Sequence, residues 1–114
     1  MSYDLCFWKY RESVSLDHQR VYERLCDGEE VEGLETLPIT QVVARIRSTF
    51  AGWQQLDECT FDGGDRGTFQ LYTTPQLLRV DCYGMNGDDM NVLIDIARSF
   101  GCQLYDPQVG QRYD

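Results

Sequence analysis

In Thr68-Phe69-Gln70-Leu71-Tyr72-Thr73-Thr74-Pro75-Gln76-Leu77-Leu78-Arg79-Val80-Asp81-Cys82-Tyr83, apolar and polar residues alternate on both sides of a Thr-Pro-Gln break. A period of two is that of a strand with one buried face, so residues 68–72 and 77–83 are expected to be the arms of a β-hairpin. Phe69, Leu71, Leu78, Val80 and Cys82 then point to the core, and Gln70, Tyr72, Arg79, Asp81 and Tyr83 to the other side.

Working outward, Tyr3, Leu5 and Phe7 alternate with Asp4, Cys6 and Trp8, which predicts a first strand almost at the start of the chain. Ser15 or Asp17 is placed to cap a short helix carrying Val21, Tyr22, Leu25 and Cys26, with Gly28 as its stop. Pro38 opens a second helix whose face is Ile39, Val42, Val43, Ile46 and Phe50. Asn86, Asp88 or Asp89 caps a third, with Met90, Leu93, Ile94 and Ala97 on one side and Gly101 at its end. A last strand is expected at residues 102–105. Two polar stretches, residues 27–35 and 57–67, carry too much charge and glycine for regular structure and read as loops, the second with a short strand around Thr60 and Phe61.

This order predicts a single α+β domain over residues 1–114. Its expected form is a split βαβ, ferredoxin-like sandwich: a four-stranded, mostly antiparallel sheet with about three helices on one face. The first strand and the second hairpin arm take the middle of the sheet. The opposite face is then open and displays Asp4, Trp8, Gln70, Tyr72, Arg79, Asp81 and Tyr83.

Acidic residues number 19 against 10 basic ones in 114, a net charge of −9, while 42 % of the chain is hydrophobic, enough to fold around one core. Such a surface repels nucleic-acid phosphates and anionic lipid and attracts a basic protein. Direct nucleic-acid binding is therefore not expected, although an open sheet face bearing Trp8 and Tyr83 has the outline of an RNA-binding one. The five cysteines are odd in number and form no Cys-x-x-Cys element, which fits core residues better than a disulfide framework or a zinc knuckle. The N-terminus has no signal-peptide pattern, and no apolar run is long enough for a membrane span, so the expected compartment is the cytoplasm.

Catalytic and metal motifs are weak. His18 is the only histidine and falls in the first turn of a helix, where an exposed polar residue is ordinary. Asp62, Asp65, Asp88 and Asp89 match no cation loop, and the turn Asp62-Gly-Gly-Asp-Arg-Gly67 lacks the lysine of a phosphate-binding loop. No metal or other cofactor is expected. Asp4, Asp81 and Arg79 leave open an alternative: a small enzyme or ligand-binding domain that uses the open sheet face. Self-association through an edge strand is a third reading.

Two short blocks carry a resemblance. Met1-Ser-Tyr-Asp-Leu-Cys-Phe-Trp-Lys9 and Phe100-Gly-Cys-Gln-Leu-Tyr-Asp-Pro-Gln108 look like the ends of small bacterial immunity proteins encoded beside polymorphic toxins, as in contact-dependent growth inhibition systems. The resemblance implies a cytoplasmic, non-catalytic inhibitor that binds a cognate toxin domain stoichiometrically. Many such toxins are nucleases, whose basic substrate surface an acidic protein complements. On that reading Trp8, Tyr72 and Tyr83 are the expected anchors, and Glu29, Glu30, Glu32, Glu35, Asp62 and Asp65 the expected steering charges.

Overall fold

The computed structural model describes residues 2–113. In chain order the elements are β1 (Ser2–Trp8), α1 (His18–Cys26), α2 (Ile39–Thr49), β2 (Gln54–Gln55), β3 (Thr60–Asp62), β4 (Thr68–Thr74), β5 (Leu77–Tyr83), α3 (Gly87–Ser99), β6 (Gln103–Asp106) and β7 (Gln111–Arg112). The hairpin forms with Pro75 and Gln76 as its turn, and Asp17 and Asn86 cap α1 and α3 by accepting the Arg20 and Asp89 amides at 3.1 and 2.9 Å.

The α+β class holds, but the expected four-stranded sheet is corrected: one antiparallel sheet contains seven strands in the order β2-β3-β4-β5-β1-β6-β7. β1 and β5 are central, as expected. Beyond the expected four are β3, which is the short strand expected around Thr60 and Phe61, and the two-residue β2 and β7, and together these extend both edges. Strands of two or three residues owe their conformation to the register of a neighbour rather than to any period of their own, as when Gln54 and Gln55 pair with Asp62 and Phe61.

The expectation of helices on one face is corrected as well. α2 and α3 cover one side: Leu5, Phe7, Phe69, Leu71, Val80 and Cys82 of the sheet meet Val42 and Ile46 of α2 and Leu93, Ile96 and Ala97 of α3. Phe69 stacks on Phe61 at 4.8 Å and takes Phe50 edge-on at 5.0 Å. α1 lies on the opposite side. There Val21 and Leu25, with Val31 and Leu34 from the acidic segment, close a second core over Cys6, Trp8, Leu77 and Tyr105. Burial pushes the Cys6 thiol far up, and those of Cys82 and Cys102 to about 12 and about 11, which suits small apolar packing residues.

Candidate functional site

The second core builds the surface above it. α1 ends where Asp27 and Gly28 turn their amides back onto Glu23 and Leu25, and Gly28 takes a φ of +82°, a left-handed conformation that costs glycine nothing. The acidic segment that follows is held at several points rather than left in solvent. Gln76, buried in the hairpin turn, accepts the Val31 amide at 2.8 Å and donates to the Val31 carbonyl at 2.9 Å. Further on, Arg11 donates its amide to the Gly33 carbonyl at 2.9 Å, and Glu35 donates its amide to the Lys9 carbonyl at 2.8 Å. With Val31 and Leu34 drawn into the core, Glu30 and Glu32 face outward on either side of Val31.

Between this pinned segment and α1 runs a cleft of about 820 Å³. Val21 and Val31 form its floor and Leu16 its lip, while Asp17, Glu23, Glu30 and Glu32 supply carboxylates and Arg20 and Arg24 the balancing cations. Leu16 is 38 % exposed, a large aliphatic side chain left in water beside those charges.

The expected site residues separate. Glu30 and Glu32 line the cleft, and Glu29 borders it through an ion pair with Arg24 at 3.3 Å. Glu35 pairs with Lys9 at 3.3 Å. Asp62 and Asp65 lie at the other end of the sheet: Asp62 faces Thr68 across β3 and β4, whereas the acidic segment sits on Gln76 beyond Thr74. From residue 68 to residue 74 is about 20 Å at the rise of a strand, so the two acidic segments do not converge. Asp62 serves its own turn, accepting the Gly64 amide at 2.8 Å.

Trp8 is corrected outright. It is 0 % exposed, packed at 5.2 Å on Tyr105 beneath α1, and has no surface to offer a partner. Tyr72 is half-buried with the Arg79 guanidinium 4.6 Å over its ring, while Tyr83, 44 % exposed, does stand on the uncovered half of the face.

That uncovered half also holds Asp4 and Asp81, cross-strand neighbours of β1 and β5. Arg79 grips Asp81 at 3.0 and 3.2 Å and donates to the Cys26 sulfur at 3.5 Å. Burial first, and then the facing Asp81, hold the Asp4 carboxyl above the usual carboxylate range, with Arg79 pulling the other way. The arginine beside this pair is already committed to Asp81 and Tyr72. Among the described residues no group of three His, Cys, Asp or Glu side chains is placed to hold a metal ion, and no helix is long and apolar enough to cross a membrane.

Leu16, Asp17, Glu23 and Gln76 belong to this surface without any site motif in the sequence around them. The signal for the covered face was the unbroken apolar run Leu5-Cys6-Phe7-Trp8, which marks a strand buried on both sides, together with Val31 and Leu34 set among acids. The double contact of Gln76 leaves no local trace, since its partner is 45 residues away. Comparisons with protein families, with curated proteins and with solved structures find no match for this chain.

Proposed function

We propose that the chain is an immunity-type inhibitor, a non-catalytic protein that neutralises a basic toxin domain, of which a nuclease is the favoured kind, by stoichiometric binding. The observation that carries this reading is the fixation of the acidic segment: Glu30 and Glu32 project from backbone clamped by Gln76, not from a loose solubilising loop. Preorganised charge reduces the ordering cost of association, and a net charge of −9 steers a cationic partner toward the surface. The resemblance of residues 1–9 and 100–108 to immunity proteins points the same way.

The alternative, a small-ligand or catalytic site at Asp4, Asp81 and Arg79, has less support. Arg79 and Asp81 already satisfy each other, and the cleft beside α1 involves neither of them nor Asp4.

The test begins with the reading frame adjacent to the gene. Its cationic C-terminal domain, purified alone, is expected to form a one-to-one complex with this chain and to lose its toxicity on co-expression. The association rate is expected to fall about tenfold or more from low to physiological ionic strength. A rate indifferent to salt, or a neighbouring product with no cationic domain, overturns the reading.

A further inference from the structure

We infer that the cleft between α1 and residues 30–32 is the docking groove for a partner segment of defined chemistry: an aliphatic side chain flanked by lysine or arginine. This rests on the inhibitor reading above and narrows it to one surface. Leu16 stands open at the lip at 38 % exposure and supplies the apolar surface of the cleft, while Val21 and Val31 close it from beneath, buried at 3 % and 2 %. An aliphatic group seated there removes Leu16 from water without displacing any hydrogen-bonded side chain of the floor.

The rim sets the sign of the flanking groups. Four carboxylates, Asp17, Glu23, Glu30 and Glu32, face two arginines. Arg24 is already engaged, bonded to Glu29 at 3.3 Å and directed at the Glu30 carbonyl at 3.5 Å. Asp17 gives one oxygen to the cap of α1. Arg20 and the engaged Arg24 against four carboxylates leave the rim negative, with Glu23 on the helix wall and Glu30 and Glu32 on the other, so cations on both sides of the anchor meet carboxylates, whereas an acidic or purely apolar segment does not. Both walls are held by hydrogen bonds, one as a capped helix and the other through Gln76, so the groove is formed without an occupant.

The probe is a short amidated amphipathic peptide of lysine and leucine, titrated into the full-length, isotope-labelled chain and followed by amide chemical shifts. Its control is a peptide of equal charge with serine in place of leucine. Saturable shifts are expected at residues 16–24 and 30–32, with the leucine peptide bound about tenfold more tightly than the control. Leu16→Asp, a change at an exposed position, is expected to abolish that difference, and Glu30→Lys with Glu32→Lys to weaken both peptides. The matched reversal Asp62→Lys with Asp65→Lys is expected to change binding by less than about twofold. Equal binding of the two peptides, or shifts spread over residues 57–65 as well, overturns the groove. Such a failure leaves the inhibitor reading standing wherever the adjacent-frame domain still binds with a salt-dependent rate, so the two ideas fail separately.

Discussion

Residues 27–35 and 57–65 have nearly the same composition, acids and glycines with few apolar residues, and the fold uses them in opposite ways. In the second segment Asp57 and Asp62 turn inward on neighbouring residues. Asp57 accepts the Cys59 amide at 2.8 Å and the Thr60 hydroxyl at 3.1 Å, bonds that hold its carboxyl below the usual range, and Asp62 accepts the Gly64 amide. In the first segment the backbone is held by other parts of the chain, through Gln76, Lys9 and Arg11, and Glu30 and Glu32 are left facing solvent. An acidic loop becomes a candidate recognition surface when something else satisfies its backbone; otherwise its acids are used in making the turn.

That contrast can be broken from beneath. Trp8→Ala empties the second core under the first segment, and Phe61→Ala empties the main core beside the second. Each is expected to lower stability by about 3–5 kcal/mol in urea titrations, because both rings are fully or almost fully buried. Their local signatures are expected to differ. Hydrogen exchange should quicken at the Val31 and Glu35 amides in the Trp8 variant and at β3 and β4 in the Phe61 variant; the same pattern in both erases the distinction between the two cores.

Gln76→Leu sharpens the comparison at smaller cost. It leaves the buried Val31 amide and carbonyl without their partner and is expected to destabilise the chain by about 2 kcal/mol. Loss of protection is expected at Val31 alone of the two acidic regions, since the turn bonds of Asp57 and Asp62 do not involve Gln76. If Val31 stays protected in this variant, the clamp is not what fixes the segment.

The smallest effect is expected at Asp4, on the uncovered half of the same face. Its carboxyl is raised in the fold, so the folded chain holds that proton more tightly than the unfolded chain does. The associated stability is complete below the ordinary carboxylate range and is lost as pH rises through the raised value. Asp4→Asn removes the like-charge opposition to Asp81 and is expected to stabilise the protein at neutral pH by about 0.5 kcal/mol. The gain should vanish in acid, where the wild-type carboxyl is protonated; a gain of equal size at both pH values assigns it to something other than charge.

Much of the fold was legible because its causes are local. The alternation in residues 68–83, the caps Asp17 and Asn86, and the stops Gly28 and Gly101 each act within a few residues. The site was less so. Composition points to Glu30 and Glu32 and equally to Asp62 and Asp65, and only Val31 and Leu34, set among the acids, mark the first segment as one that packs. Alternation alone leaves Trp8 on an open face, whereas the unbroken apolar run from Leu5 to Trp8 is the pattern of a strand covered on both sides.

From its sequence alone this chain determined the main elements, the hairpin and its turn, the hairpin residues that face the main core and the sign of its net charge, since these follow from side-chain period, capping chemistry and charge count. Only the tertiary structure decided that α1 crosses to the face opposite α2 and α3, that Val31 is clamped by Gln76, and that one acidic segment borders a cleft while the other stays at the far end of the sheet. Those outcomes depend on which apolar stripe finds which uncovered patch across long separations in the chain. That is a competition among burials of similar free energy per unit area, and no local pattern ranks them.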